Sequence, residues 1–323
     1  MNFYSNGKLL LTGEYLVLDG AKSLAVPTKF GQDLIVDDIK EPQIIWGSFT
    51  NTGECWFEAI FDIKKLRLIN CTFNSDKEGS AEFIAETLLD ILKEAKRLNP
   101  GFLNSDNGFV VKTHLTFPRS WGLGSSSTLI NSIASWAKVD AFQLLWNSFK
   151  GSGYDIACAQ NDVPIFYRIK RDFSTKPVLS EVEMLEMIPE IEQVEFNPSF
   201  KENLFFLYLN QKQNSKEGIA KFRENGANFQ KEIERITAIS DELLEVKSLR
   251  NFEKLIIEHE EIISSVIKIK PVKEKLFPDY FGEIKSLGAW GGDFVLVTGN
   301  EKTPSYFKNK GFETILSYSE MVL

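Results

Sequence analysis

The stretch from residue 118 to residue 127 reads Pro-Arg-Ser-Trp-Gly-Leu-Gly-Ser-Ser-Ser, and it separates two segments of different periodicity. Before it, residues 109–117 alternate between apolar and polar side chains, which is the pattern of a half-buried strand. After it, residues 129–139 are mostly apolar and have the spacing of a buried helix. The sequence therefore predicts a strand, a loop of small residues and a helix, in that order.

A loop of this kind is suited to binding an anion. Backbone N–H groups at the start of a helix are unpaired and lie at the positive end of the helix dipole. Gly122 and Gly124 let the backbone approach a ligand closely, and Ser125, Ser126 and Ser127 add hydroxyls for phosphate oxygens or a hard cation such as Mg²⁺. Small residues are equally typical of an ordinary helix cap, so this segment alone leaves both interpretations open. Neither the GxxxxGK[ST] phosphate loop nor the GxGxxG dinucleotide pattern occurs here.

Two further glycine-containing loops occur, at residues 151–155 and 288–292. The first ends in Asp155 at the start of a predicted helix, where a carboxylate either pairs with the helix dipole or acts as a base. Lys8 precedes an apolar run and must either reach water or pair with an anion. Each feature has an ordinary explanation alone. Together they are hard to explain as independent helix caps, and we predict that they form one site.

The pattern of elements predicts an α+β protein of two domains. Its 323 residues exceed the usual length of one domain, and we place the domains at residues 1–198 and 199–323, because a segment rich in Pro and Glu precedes the boundary. Short β-prone runs dominate the start of the chain. Residues 80–97 have helical spacing, with Ser80 as N-cap and with Phe83 and Leu88 on the buried face. Two long helices are predicted, one from residue 216 to about residue 246 and a second at residues 252–269.

Composition limits the classes of function. With 37 Lys and Arg against 45 Asp and Glu, the net charge of −8 disfavours a nucleic-acid-binding protein. Three cysteines without CxxC spacing favour a reducing cytoplasm. Since the sequence contains no run of about 18 apolar residues, we expect no membrane-spanning segment. His259 lies in a Glu-rich helical stretch, and with only two His we expect no histidine metal site. The acidic helices most simply present a solvated face, although they could also form a homodimer surface.

With these segments in view, the sequence resembles the GHMP kinases, the superfamily of galactokinase, homoserine kinase, mevalonate kinase and phosphomevalonate kinase. Residues 6–15 resemble its first motif, residues 118–127 its second and residues 151–155 its segment with a catalytic carboxylate. Residues 288–293 resemble a shortened third motif. The resemblance implies a ribosomal S5-like N-terminal domain, a ferredoxin-like C-terminal domain, and ATP-dependent phosphorylation of a small alcohol with Mg²⁺. The first motif and the 151–155 turn are most similar to those of mevalonate and phosphomevalonate kinases.

The resemblance also implies roles for individual residues. Asp155 would accept or orient the proton of the substrate hydroxyl, and Lys8 would neutralise charge near it. Ser126 would approach the Mg²⁺ ion. The residues implied to bind the nucleotide are Gly122, Leu123, Gly124, Ser125, Ser126 and Ser127. Those implied to bind the second substrate are Glu14, Tyr15, Gly153, Lys212 and Ser215.

The sequence departs from the mevalonate kinase pattern in two places. Those enzymes carry a metal-binding Glu about a dozen residues before the catalytic Asp, whereas residues 139–146 contain none, and Asp140 is the candidate replacement. Tyr15 also stands where they have a His. We therefore expect a kinase for mevalonate or phosphomevalonate. Two alternatives stay open, namely another alcohol acceptor such as homoserine or a sugar, and a nucleotide-binding relative without catalysis.

Overall fold

Strands and helices alternate in groups along the chain. The computed structural model describes residues 1–73, 80–149, 151–172, 186–211, 218–219, 222–223, 229–290 and 292–323. The strands are β1 Asn2–Leu10, β2 Ser23–Ile39, β3 Gln43–Phe49, β4 Cys55–Asp62, β5 Arg67–Phe73, β6 Gly108–Leu115, β7 Ile165–Asp172, β8 Glu186–Gln193, β9 Leu204–Tyr208, β10 Ile284–Ser286, β11 Phe294–Thr298 and β12 Ile315–Ser317. The helices are α1 Ala81–Leu98, α2 Ser125–Ala137, α3 Ala141–Ser148, α4 Tyr154–Ala159, α5 Gln230–Glu245, α6 Leu249–Ile267, α7 Val272–Leu276, α8 Thr303–Asn309 and α9 Tyr318–Met321. The predicted α+β class is confirmed.

The chain divides into two compact units that interleave in sequence. The first unit consists of Met1–Gly7, Phe30–Arg119 and Leu123–Gln160. The second unit consists of Lys8–Lys29, Ser120–Gly122 and Asn161–Leu323. The predicted domain ranges, 1–198 and 199–323, follow chain order and stay a prediction.

The first unit is built on the sheet order β5-β4-β3-β6-β2. Strands β3 and β6 are parallel, whereas β4 pairs antiparallel with both β3 and β5. Helix α1 begins where the sequence predicted, because Ser80 Oγ accepts a hydrogen bond of 3.1 Å from the amide of Phe83. Leu88 is buried as predicted, but the prediction for Phe83 is wrong, since 68% of this side chain is exposed. At 100° per residue Phe83 lies on the face opposite to Leu88 and Leu92.

The second unit contains the start of β2 paired with β7, and β7 paired with β8. It also contains a separate antiparallel sheet in the order β10-β11-β9-β12. Helix α6 packs against β10 and confirms the second of the predicted long helices. Phe277, Val295 and Phe307 fill the core beside this sheet. Among the described residues, no helix has the length and apolar character needed to cross a membrane.

Candidate functional site

The small-residue loop leads into α2 through two left-handed glycines. Gly122 has φ 68° and Gly124, the N-cap residue of α2, has φ 92°. Side chains with a Cβ rarely adopt these values, so the backbone itself requires glycine at both positions. Ser126 is exposed in the first turn of α2, while Ser127 is buried. The predicted order of loop and helix is confirmed.

Asp155 lies in the first turn of α4, which opens in the same way. Its N-cap residue is Gly153, with φ 92°, and Asp155 itself is half-buried. Helices α2 and α4 pack together within the first unit. Gln160 donates from Nε2 to Asn131 Oδ1 at 2.9 Å, and Asn131 donates from Nδ2 to Ser5 Oγ at 3.0 Å. The first unit thus brings the phosphate-loop helix and the Asp155 helix together through a partly buried polar network.

Residues 8–15 of the first motif lie in the second unit, at the end of β1 and in the turn that follows. Lys8 is half-buried in β1, and Glu14 and Tyr15 are buried. Tyr15 has φ 63°, in the left-handed region, and directly precedes a 3-10 turn at Leu16–Asp19. Its hydroxyl donates to the carbonyl oxygen of Ala289 at 3.0 Å, and burial raises its pKa to about 12. The first motif therefore contacts the third motif directly.

Glu14 belongs to a group of buried ionisable side chains that we call the buried charge cluster, namely Glu14, His259, Glu260 and Lys285. Lys285 donates from Nζ to Glu14 Oε1 at 2.6 Å and to the carbonyl oxygen of Ser286 at 2.9 Å. Ser286 donates from Oγ to Glu260 Oε2 at 2.9 Å. None of the four cluster residues is more than 4% exposed. The structure therefore places Glu14 in the interior of the second unit, and its contact with substrate stays a prediction.

Burial controls the protonation of this cluster. It raises the pKa of Glu260 to about 8, although Lys285 acts in the opposite direction. It also raises the pKa of Glu14, where Lys285 again opposes the shift. The pKa of His259 lies well below its usual value, first because of burial and second because of Lys285. His259 is thus neutral, so its contact of 3.2 Å with Glu14 Oε2 is not an ion pair.

The places of Lys285, Glu260 and His259 in the buried charge cluster were not predicted from the sequence. A signal was present, because residues 259 and 260 fall between Ile256 and Ile263 at the helical spacing of buried positions. A polar residue at such a position is expected to have a buried partner. The partner could not be found by spacing, since Glu14 and Lys285 are 271 residues apart.

Asp293 is the last residue of the third motif, and its side chain lies against Gly122. A Cβ atom on Gly122 would lie 2.3 Å from Oδ2 of Asp293, so only glycine fits there. Asp293 has φ 51° and Trp290 has φ 54°. The predicted third motif thus includes two non-glycine residues in the left-handed region, although Gly291 lies outside the described residues. Such backbone strain persists where surrounding contacts fix the chain.

Three further residues were singled out in the sequence, namely Asp140, Lys212 and Ser215. Asp140 is the N-cap of α3, and its Oδ1 accepts a hydrogen bond of 2.8 Å from the amide of Gln143. This contact gives Asp140 a role in capping the helix. Lys212 and Ser215 lie outside the described residues.

The described residues fit a magnesium ion only if a nucleotide supplies most of its ligands. In the described part of the chain, no group of three or more His, Cys, Asp or Glu side chains is placed to hold a metal. Mg²⁺ is commonly bound by one or two protein ligands together with substrate phosphates and water. The exposed hydroxyl of Ser126, at the N-terminus of α2, is compatible with that mode.

Comparisons with known proteins agree on the fold. The Methanococcus jannaschii mevalonate kinase structure matches with a TM-score of 0.64 and 17% identity, over 98% of this chain and 96% of that one. A Streptococcus pneumoniae phosphomevalonate kinase, solved with phosphomevalonate and AMPPNP, matches with a TM-score of 0.63 and 17% identity, over 98% of this chain and 99% of that one. A mevalonate diphosphate decarboxylase from Legionella pneumophila matches with a TM-score of 0.56 and 13% identity, over 98% of this chain and 100% of that one. No family model and no curated protein matches the sequence. The chain therefore has the GHMP kinase fold of the mevalonate and phosphomevalonate kinase structures.

Proposed function

We propose that this protein is an ATP-dependent kinase that phosphorylates mevalonate or phosphomevalonate. The observation that carries the proposal is the packing of α2 against α4, with each helix opened by a left-handed glycine. One helix presents the loop suited to phosphate and the other presents Asp155. Fold alone does not fix function, and the same fold occurs in a decarboxylase structure.

The proposed chemistry assigns a role to each of the predicted site residues. The loop from Gly122 to Ser127 binds the phosphates of ATP through its backbone amides and serine hydroxyls. Asp155 accepts the proton of the acceptor hydroxyl while that oxygen attacks the γ-phosphorus and ADP leaves. Lys8 stabilises negative charge on the transferred group. Ser126 is the proposed protein ligand of Mg²⁺, which when bound neutralises phosphate charge. Such transfer depends mainly on positioning and on electrostatic stabilisation.

The proposed contacts for the acceptor are Tyr15, Gly153, Lys212 and Ser215. Homoserine or a sugar is the alternative acceptor, and a nucleotide-binding protein without turnover is the other alternative. We also propose a cytoplasmic location, because three cysteines without CxxC spacing favour a reducing compartment. A homodimer formed through the acidic helices is a further proposal.

The first experiment measures ADP release by the purified protein with Mg²⁺ and ATP. Mevalonate, phosphomevalonate, homoserine and galactose are tested in parallel. We expect turnover with one acceptor of the mevalonate series, and its loss in Asp155→Asn while ATP binding by calorimetry is kept. The matched control is Asp90→Asn, at an exposed position on α1 in the same unit as Asp155.

Two outcomes would contradict the proposal. Full turnover in Asp155→Asn would exclude this residue as the base. ATP binding without ADP release on any acceptor would instead favour the alternative without catalysis.

A further inference from the structure

Three consecutive residues of the first motif each have a partner far away in the sequence. The amide of Gly13 donates to His259 Nε2 at 3.0 Å. Glu14 accepts from Lys285 at 2.6 Å, and the hydroxyl of Tyr15 donates to Ala289 at 3.0 Å. All of these residues belong to the second unit.

Two of these partners bracket the start of the third motif. Lys285 is in β10, and Gly288, where the third motif begins, follows only two residues after that strand ends. Ala289 is the second residue of the motif. The Glu14–Lys285 pair therefore anchors the chain just before the third motif, and the Tyr15–Ala289 bond anchors the motif itself.

Stability alone does not account for the ion pair. Glu14 is 0% exposed and Lys285 is 1% exposed, so both charges have lost their hydration. Desolvation costs several kcal/mol per ion, and apolar residues of similar volume are often as stabilising as a buried ion pair. An ion pair differs from apolar packing in fixing one geometry, because its distance and direction are specific.

The conformation of Tyr15 indicates what is fixed. A tyrosine with φ 63° is strained, at a cost of about 1–3 kcal/mol, and such strain persists only where the surroundings determine the backbone. The neighbouring Gly13 and Glu14 supply that constraint through His259 and Lys285. Tyr15 also packs against Phe222, with ring centroids 5.7 Å apart.

We propose that Glu14 and Lys285 are positioning residues, which tie the first motif to the third and thereby hold Tyr15 in place for the phosphoryl acceptor. The part that concerns the acceptor rests on the proposed function. The coupling between the two motifs does not depend on it.

The test compares a variant that removes the charge of Glu14 with a double variant in which apolar side chains replace both members of the ion pair. Glu14→Gln keeps the size of the side chain and removes its charge. The double variant Glu14→Leu/Lys285→Met replaces both charges with apolar side chains and is expected to fold with stability close to that of the wild type. The matched control is Lys273→Met, which removes the 2.7 Å ion pair with Glu283 in the same unit.

Hydrogen exchange measured by mass spectrometry is the first readout. We expect peptides that cover residues 284–293 to exchange about fivefold faster or more in both Glu14 variants, with peptides of β9 unchanged. The control should exchange as the wild type does in both regions. Equal acceleration in β9 and in residues 284–293 would indicate general loosening and would overturn the proposal, as would unchanged exchange at residues 284–293.

Steady-state kinetics are the second readout. We expect the KM for the acceptor to rise about fivefold or more in both Glu14 variants, with the Kd for ATP unchanged. An unchanged acceptor KM would remove the acceptor part of the proposal. If the wild type phosphorylates no acceptor, the proposed function fails, and the exchange experiment still decides whether Glu14 and Lys285 couple the motifs.

Discussion

The backbone amide of Gly13 donates a hydrogen bond of 3.0 Å to Nε2 of His259. This nitrogen is therefore an acceptor, and the ring proton lies on Nδ1. A neutral imidazole agrees with burial, which together with Lys285 keeps the pKa of His259 well below its usual value. His259 acts here as a fixed acceptor for the turn that carries the first motif.

Replacing His259 by Phe should destabilise the protein. The substitution keeps a ring but leaves the amide of Gly13 buried without an acceptor, which costs about 1–3 kcal/mol. Urea denaturation measures the change in the free energy of unfolding. His114→Phe is the control, because His114 is partly exposed and already stacks on Phe49 with ring centroids 4.8 Å apart. Equal losses in the two variants would contradict the assigned role of His259.

The raised pKa of Glu260 predicts a dependence of stability on pH. Its pKa is about 8 in the folded protein against 4.5 as a reference, so the folded state keeps a proton that the unfolded state has lost. The resulting stabilisation is complete below the reference pKa and is lost as the pH rises through about 8. The contribution of His259 to the free energy of unfolding depends on pH in the opposite direction. Because its pKa is lowered in the folded protein, this contribution falls only as the pH drops below 6.5.

Between pH 6.5 and 8, the effect of Glu260 on the free energy of unfolding can therefore be measured without a contribution from His259. In this window, we expect the free energy of unfolding of the wild type to fall relative to Glu260→Gln by up to about 1.4 kcal/mol per pH unit. Glu14, whose pKa is also raised, is present in both proteins, so its contribution largely cancels. The neighbouring exposed residue provides the control Glu261→Gln, which should follow the wild type. Parallel curves for wild type and Glu260→Gln would contradict the prediction.

Gly122→Ala should destabilise the protein more than an alanine at another left-handed glycine. A Cβ at residue 122 would lie 2.3 Å from the carboxylate of Asp293, whereas at Gly311, with φ 87°, it would meet nothing within 4 Å. Both substitutions carry backbone strain, and only Gly122→Ala adds a clash, for which we expect about 1–3 kcal/mol more. Thermal and urea denaturation measure the difference. A similar loss in Gly311→Ala would show that strain alone accounts for it.

Asn131→Leu should affect both stability and turnover. It removes the polar link from α2 to Gln160 and to Ser5, and we expect a loss of about 1–3 kcal/mol. Because α2 and α4 carry the phosphate loop and Asp155, kcat of the remaining folded enzyme should also fall. The control is Asn147→Leu, at an exposed position on α3. Unchanged kcat in Asn131→Leu would show that the network stabilises the helices without aligning them.

Local features of the fold could be predicted from the sequence. Ser80 caps α1 as expected, and the glycines at 122 and 124 have the left-handed conformation for which glycine is suited. Phe83 was misplaced because its apolar character was taken as a sign of burial, whereas at 100° per residue it lies opposite Leu92. The buried charge cluster was missed for a different reason, since its contacts join residues 245 and 271 positions apart, and no local periodicity reports on such pairs.

The interleaving of the two units imposes an order on folding during synthesis. All segments of the first unit have been made once the ribosome has passed Gln160, whereas the second unit also requires Asn161–Leu323. Glu14 is made 271 residues before Lys285, which at about 5–20 residues per second is a delay on the order of tens of seconds. The turn with Glu14 and Tyr15 therefore leaves the ribosome among the first segments and reaches its folded contacts among the last.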